Sequence, residues 1–404
     1  MPPADPTHAT AALDQARQRF AEGALVEAVG LLSAMDRQGR PASEIAAIEH
    51  LQCLACYRLG QLSDSLQCAR SFLQQADPGI ENEVELRFSV LTVAVVAAGE
   101  LARFEESLQW LSELLGLSSR LGSLSHYVRA RGSAASAFLL LGDLWAAERV
   151  LGALACEFDR PHQEQRLETT MRCNHASLAF DLARMARDAG DVEAAQQSLD
   201  SAAASVERAT RAAASLEDWR LITFVRLHQL ELCLLQGRWD MAEEHLRAAK
   251  QDAEQAGLNA HWRHLQLLEA KWRLARGEAR SALDLLDGLL HTELPTNELS
   301  TRIRLRDLRY RCLVALGEPI AALSARQSFD ELSGLRAYRQ AQAQSRLMRT
   351  RLEMEHLFLR RSDGKAFGST TPAAAAATAA ASQPQSVGRA PMSRGVRRPQ
   401  RKTG

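Results

Sequence analysis

The chain is poor in aromatic residues and in runs of β-branched residues. Phe, Trp and Tyr make up only 5% of its 404 residues. The one clear β-branched run, residues 88–96, lies between stretches of helical sequence. Ala, Leu, Gln, Glu and Arg dominate instead, and these are strong helix formers. The composition therefore speaks against a β-sheet protein and favours an all-α one.

Long apolar segments and a paired set of cysteines are also missing. No stretch reaches the ~18 consecutive apolar residues expected of a membrane span. The first ten residues lack the charged start and apolar stretch of a secretory signal. The seven cysteines are odd in number and irregularly spaced, so they do not form a disulfide framework. We therefore expect a protein of the reducing cytoplasm.

The chain carries no net charge, because 49 basic residues balance 49 acidic ones. The balance is uneven, since residues 362–404 contain seven basic residues and one acid, which leaves residues 1–361 mildly acidic. An acidic body with a basic tail does not indicate a dedicated nucleic-acid binder. The tail is Ala-, Pro- and Arg-rich and of low complexity, so we expect it to be disordered.

No catalytic or cofactor-binding motif occurs in the sequence: neither a Gly-rich phosphate loop nor a nucleophile elbow is present. His50, Cys53 and Cys56 have the residue types of a zinc site. They lie inside a predicted helix, however, and cysteines recur at core positions of the chain. His261 and His264 share a helix face without surrounding carboxylates. We therefore predict no enzyme activity, no metal and no cofactor.

A short motif recurs along most of the chain: a small residue, any residue, an apolar residue, two more residues, and Ala or Ser. The small residues lie 37, 42, 40, 48, 47, 40 and 40 residues apart, an average of 42. A period in this range is typical of a solenoid. The eight small residues, called the motif residues below, are Gly23, Gly60, Ala102, Gly142, Gly190, Gly237, Gly277 and Gly317.

Each part of the motif has a physical explanation. A glycine permits the left-handed conformation that ends a helix. The apolar residue two positions later packs the turn, and the Ala or Ser lets the next helix approach closely. Each unit is therefore a helix–turn–helix hairpin whose apolar face is buried only when hairpins stack. The sequence predicts an all-α, right-handed α-solenoid of about eight such hairpins.

This spacing resembles the tetratricopeptide repeat, in the roughly forty-residue variety found in bacterial regulators. The resemblance covers residues 8–330. It implies a groove lined by the first helices of the hairpins, in which a peptide or partner protein binds. We thus expect a non-catalytic interaction scaffold or sensor, with a disordered N-terminus over residues 1–7.

The sequence after the eighth hairpin changes character. Residues 331–361 predict a capping or signalling helix, whose apolar stripe allows a homodimer through this helix. Residues 345–356 resemble the helix that joins such repeats to GGDEF diguanylate cyclase domains, but no cyclase motif follows. A sensory part of a cyclase without its output domain is therefore an alternative. A repeat-containing transcriptional regulator is another, although no segment is left for a DNA-binding module.

Basic residues on the first helices are the candidate partner-binding groups. Arg131, Arg226 and Arg306 each lie eleven residues before their motif glycine, so stacking would align them along one surface. Guanidinium groups in such a row would hold an acidic segment through paired hydrogen bonds. Scattered arginines paired with nearby glutamates are the alternative. Looser neighbours on the first helices are Arg129, Arg172, Asn174, His175 and Arg263.

Overall fold

The computed structural model describes residues 6–75, 83–158, 165–216, 218–256, 259–291 and 299–362, all of them within or between sixteen helices. Side chains are described over residues 11–74, 83–154, 165–216, 218–254, 262–291 and 299–345. The predicted tail, residues 363–404, and residues 1–5 lie outside these ranges. The helices are α1 Pro6–Ala21, α2 Leu25–Ala34, α3 Ala42–Leu59, α4 Leu62–Gln75, α5 Glu83–Glu100, α6 Phe104–Leu121, α7 Leu124–Leu141, α8 Leu144–Phe158, α9 Gln165–Asp188, α10 Val192–Ala213, α11 Trp219–Gln236, α12 Trp239–Ala256, α13 Asn259–Ala275, α14 Ala279–His291, α15 Leu299–Ala315 and α16 Pro319–Ser362.

The helices pair into eight hairpins, which confirms the predicted all-α solenoid. Every motif residue lies between an odd-numbered and an even-numbered helix and has a positive φ, from 54° at Ala102 to 83° at Gly277. At Gly60, the backbone N–H bonds to the carbonyl of Tyr57, and the N–H of Gln61 bonds to that of Cys56. These bonds satisfy the last carbonyls of α3 and reverse the chain.

The third motif residue begins the second helix of every hairpin. Pro319 fits this place because the first helical position needs no N–H donor. The prediction that this residue packs the turn is correct at Phe104, which is buried. It is wrong at Val192, which is 78% exposed, because the first turn of a second helix can point its side chain to the solvent.

The sixth motif residue lies where the two helices of a hairpin touch. All eight of these residues are at most 5% exposed, as the close-approach explanation requires. Where the residue is Ser, its hydroxyl also finds a partner: Ser65 Oγ donates to the carbonyl of Cys53 at 2.9 Å, and Ser107 Oγ donates to that of Val95 at 2.7 Å. A small side chain there keeps the helix pair close without leaving a buried polar atom unpaired.

Neighbouring hairpins bury their apolar faces against one another. One core cluster joins Leu283 and Leu286 of α14 to Leu305 and Leu308 of α15. First helices also contact the first helices of the next hairpin, as α9 contacts α11 and α11 contacts α13. The side of the array lined by these first helices is called the inner surface below.

The inner surface is less open than the predicted groove. Helix α3 lies against α13, five hairpins further along the array. Arg220 at the start of α11 also stacks over the ring of Tyr57 at the end of α3, 5.2 Å from its centroid. The first helices therefore approach one another across the inner surface as well as along the array.

The final helix departs from the predicted division at residues 330–331. Helix α16 begins at Pro319 and runs without interruption past Gly334 to Ser362. The chain divides into a compact unit, Met1–Met354, and a second unit, Glu355–Gly404, of which the structure describes the helical residues 355–362. Among the helices described, none is long and apolar enough to cross a membrane.

Two glycines of the seventh hairpin offer a matched test of the motif. Gly277 has a φ of +83°, Gly288 is helical, and a methyl group added to either meets no atom within 4 Å. We expect Gly277→Ala to lower the free energy of unfolding by about 1–2 kcal/mol through left-handed strain. Gly288→Ala should raise it by about 0.5–1 kcal/mol through helix propensity. Urea titration measures both, and equal effects of one sign would contradict the assigned turn.

Candidate partner-binding surface

Three charged side chains form a row across the inner surface. Arg184 of α9, Glu231 of α11 and Lys271 of α13 each lie six residues before their motif glycine. Equivalent positions of stacked hairpins lie side by side, so the three residues are spatial neighbours. We call Arg184, Glu231 and Lys271 the ionic row.

Glu231 is the centre of this row. Its Oε1 accepts a hydrogen bond from Arg184 Nη2 and lies 3.6 Å from Lys271 Nζ. Arg184 in turn donates from Nη1 to Asp181 Oδ1 at 2.6 Å. The Glu231 side chain is 15% exposed, whereas those of Arg184 and Lys271 are 38% and 36% exposed. A nearly buried carboxylate is thus held between two cations that reach the solvent.

The pKa values in this row reflect burial and the opposite charges. Burial alone would raise the pKa of Glu231, but Lys271 and Arg184 outweigh it and hold that pKa well below its usual range. Burial lowers the pKa of Lys271, although Glu231 opposes the shift. Burial also lowers the pKa of His264 to about 3, again opposed by Glu231. At neutral pH Glu231 is therefore a carboxylate and His264 is neutral.

Arg304 of α15 adds a further cation to the inner surface. It lies close enough to Glu231, His264 and Lys271 for its charge to affect their pKa values. Arg304 is exposed, and it makes no hydrogen bond or ion pair among the described residues. Among the described side chains, the cations Arg184, Lys271 and Arg304 thus outnumber the carboxylates Glu231 and Asp181 by one.

A second polar cluster lies where α3 meets α11. Burial raises the pKa of Tyr57, an effect that Arg220 opposes with its charge and a hydrogen bond. Asp218 lies beside Arg220, with its Oδ2 3.4 Å from Arg166 Nη2, and its other oxygen accepts the N–H of Leu221 as the cap of α11. These contacts hold Tyr57, Asp218 and Arg220 in place where α3 and α11 approach each other.

The three predicted row arginines have separate surroundings. Arg131 is 5% exposed and stacks on the ring of Tyr127, 4.1 Å from its centroid. Arg226 forms an ion pair through Nε with Asp252 of α12. Arg306 is half-buried, and burial and the charges of Arg309 and Arg302 lower its pKa. Arg226 therefore points toward α12, the second helix of its own hairpin.

The five looser candidates are mostly engaged in packing between helices. Arg129 stacks over the ring of Phe88 at 5.2 Å. Asn174 donates to Ser136 Oγ at 3.0 Å, and His175 Nδ1 lies 2.8 Å from Ser205 Oγ of α10. Arg172 is 8% exposed, with its Nε 3.6 Å from a carboxylate oxygen of Glu168 on the same helix. Arg263 is half-buried on α13.

The ionic row was absent from the sequence prediction, although its signal was present. Counting back eleven residues from the motif glycines gives arginine only in the fourth, sixth and eighth hairpins, as Arg131, Arg226 and Arg306. Counting back by six gives Arg184, Glu231 and Lys271 in consecutive hairpins, with alternating charge. Alternating charge at one register is typical of side chains that pair across stacked repeats.

Cys53, Cys56 and His50 behave as core residues. Cys53 and Cys56 are buried on α3, and burial raises the pKa of each thiol to about 12. Burial lowers the pKa of His50 to about 4. Within the residues that the structure covers, no group of three or more His, Cys, Asp or Glu is placed to hold a metal ion. His261 lies outside the residues whose side chains are described.

The depressed pKa of His264 predicts acid sensitivity. The unfolded chain takes up a proton near pH 6.5 that the folded chain takes up only near pH 3, so stability falls as pH drops below 6.5. We expect this difference in proton uptake to lower the free energy of unfolding by about 1–2 kcal/mol between pH 7 and pH 5. Urea titrations at both pH values should show a smaller loss for His264→Gln. An unchanged loss would show that His264 is solvated when folded.

Comparison with known proteins supports the fold. No protein-family model matches the chain, and no curated protein matches it. A crystal structure of a Rap protein complexed with competence and sporulation factor matches with 9% identity and a TM-score of 0.53 over 82% of this chain and 99% of that one. At this identity the likeness concerns the fold alone, and it confirms a helical-repeat architecture.

Two further solved structures match less well. A tetratricopeptide repeat protein from Parabacteroides merdae ATCC 43184 is 13% identical, with a TM-score of 0.40, and covers 74% of this chain and 99% of its own. Yeast Tom70 is 11% identical, with a TM-score of 0.23, and covers 89% of this chain and 99% of its own.

Proposed function

We propose that this helical-repeat chain is a non-catalytic scaffold that binds a peptide or partner protein on its inner surface. The ionic row carries the proposal. Arg184, Glu231 and Lys271 come from three consecutive hairpins and bring their charged groups together on the inner surface. Polar groups held in place by neighbouring repeats are preorganised for binding.

The chemistry of the row supports recognition rather than bond-making. Glu231 is held as a carboxylate by two cations, so it is a poor proton acceptor at neutral pH. A pKa of about 3 makes His264 a weak base as well. Each side chain is therefore in the protonation state suited to a fixed charge or hydrogen-bonding group.

The charge surplus at Arg304 favours an acidic group in the partner. Arg304 is exposed beside the row, and a guanidinium donates two parallel hydrogen bonds to a carboxylate. We propose that an acidic residue of the partner binds there. The eight residues first predicted, among them Arg131 and Arg306, remain proposed contacts outside this centre. Arg226 is the weakest of them, because Asp252 already holds its guanidinium.

The Rap structure was solved with another molecule bound, and we propose that this chain is likewise a binding protein, acting in bacterial signalling. A sensory part of a diguanylate cyclase is the second candidate, favoured by the unbroken helix α16 that leaves the last hairpin. The 404-residue chain is then expected to form no cyclic dinucleotide from GTP by itself. Formation of that product would contradict the non-catalytic assignment.

Peptide selection tests the inner surface without knowledge of the partner. A phage library of random 12-residue peptides is selected on the full chain, and synthetic versions of the selected peptides are titrated by fluorescence anisotropy. We expect Arg304→Glu to weaken binding at least tenfold, because it reverses the charge that meets the acidic residue.

The control is Arg247→Glu, which reverses another exposed arginine, on α12 and away from the first helices. It should leave the affinity within about twofold of wild type, in line with a rim charge that meets no partner. Equal losses in the two variants, or no loss in either, would place the peptide elsewhere.

A further inference from the structure

The middle of α16, residues 336–343, lies on the C-terminal end of α7. Arg336 Nη2 donates to the carbonyl of Leu140 at 3.0 Å, and Gln340 Nε2 donates to that of Leu141 at 2.8 Å. Ala343, one turn further on, is completely buried. The three residues fall on one helix face at spacings of four and three. This face of α16 therefore packs on a helix nearly 200 residues away in sequence.

The end of α7 is a chemically suitable place for a cation. The last carbonyls of a helix have no partner within that helix, and its dipole places negative charge there. Burial and the charge of Arg304 lower the pKa of Arg336, and the carboxylates of Glu100, at the end of α5, and Asp181, on α9, oppose that shift. The ends of α5 and α7 therefore form a site for an arginine, and Arg336 occupies it.

Residues 336–343 of α16 contact α7 through one face of the helix. On the opposite side of α16, Leu335 is 41% exposed and Tyr338 is 62% exposed. Gly334, the residue that most weakens a helix apart from proline, lies between this segment and the residues that pack on α15. The Nε of Arg336 is buried without a hydrogen bond, so even the central contact is incomplete. Such a segment is suited to exchange with a competing helix.

We propose that the ends of α5 and α7 are a docking site for an arginine-bearing helix, which residues 336–343 fill in the free protein and a partner helix fills on binding. This inference rests on the proposed function and adds two features to it. The partner must displace the chain's own helix, and it must bring an arginine into the place of Arg336. The acidic residue that meets Arg304 would come from the same partner.

A peptide in trans tests the docking site directly. A fluorescein-labelled peptide of residues 331–345 is titrated into the full chain and into the full-length double variant Arg336→Ala/Gln340→Ala, whose site is vacated. We expect the double variant to bind the peptide at least tenfold more tightly than the wild type. A peptide carrying the same two alanines should bind neither chain.

Two further variants separate displacement from loss of folding. Arg339→Ala/Gln344→Ala removes the same charge and amide from the α16 residues beside the contact, and it should bind the peptide as weakly as the wild type. Gln340→Glu alone places a carboxylate against the carbonyl of Leu141 and should also open the site. Hydrogen exchange should then accelerate at least tenfold in residues 336–345 and remain unchanged in residues 319–330.

The outcomes are distinct for the two proposals. Equal peptide affinity in the wild type and the vacated variant would show that α16 blocks nothing, and absence of binding to the vacated variant would show that no docking site exists. Either result overturns the inference. The selected peptides that depend on Arg304 would still bind in both cases if the proposed function is correct, and would fail to bind if it is not.

Discussion

Leu283→Ala is expected to lower the free energy of unfolding by about 2–4 kcal/mol, because it removes a buried side chain from between two hairpins. Leu283 lies on α14, is 4% exposed, and belongs to the cluster that includes Leu305 and Leu308 of α15. The change creates a cavity at an interface that only stacking produces. Urea titration followed by circular dichroism measures the effect.

Leu323→Ala is the matched control. Leu323 holds the same position six residues after the motif glycine, in the last hairpin, where no further described hairpin covers it, and it is 61% exposed. Its replacement should change the free energy of unfolding by less than about 0.5 kcal/mol. Similar losses at the two leucines would mean that the stacking order is not what buries Leu283.

Glu231→Gln is expected to cost about 2–3 kcal/mol of unfolding free energy. The change keeps the shape of the side chain but removes the charge that neutralises Arg184 and Lys271. Breaking a buried pair from one side costs about 3–5 kcal/mol, and we expect less here because both cations reach the solvent, where water screens them. Urea titration at pH 7 measures the loss.

Glu243→Gln supplies a control with the same connectivity on the outside of the array. Glu243 also bridges two cations, Arg247 at 3.2 Å and Arg276 at 3.3 Å, but its side chain is 42% exposed. Exposed pairs of this kind contribute about 0–1 kcal/mol. A loss at Glu231 no greater than that at Glu243 would show that the ionic row is an ordinary solvated surface.

Much of the fold was predictable because its signals are local. A glycine in the left-handed conformation and a small residue five positions later are fixed by the geometry of a single hairpin. They predicted the number of hairpins. Even Ala102, the one motif residue without glycine's freedom, adopts a φ of 54°, since the surrounding hairpin imposes the turn.

The candidate site was less predictable because it depends on which face of each first helix points inward. Arg226 and Glu231 are five residues apart on α11, and that difference in register turns one toward Asp252 and the other toward Arg184 and Lys271. The repeat period aligns both registers equally well. Only packing of the second helices decides between them, and that information is not local.

Contacts across the array were beyond the reach of sequence patterns. The approach of α3 to α13 and the seating of Arg336 on α7 join residues far apart in the chain. They follow from the accumulated rotation of successive hairpins, which small differences in helix packing determine. The predicted helix over residues 331–361 was correct as a helix. Its continuity with the eighth hairpin and its contact with α7 required the structure.

The central claim is that partners bind on the inner surface, and photo-cross-linking tests it most directly. A benzoylphenylalanine replaces Arg311, which has the register of the ionic row on α15, or Arg247 on α12; both arginines are exposed and form ion pairs within their own helix. The selected peptide is then irradiated with each full-length chain. We predict a covalent adduct from position 311 and none from position 247. An adduct from position 247 alone, or equal adducts from both, would contradict the account.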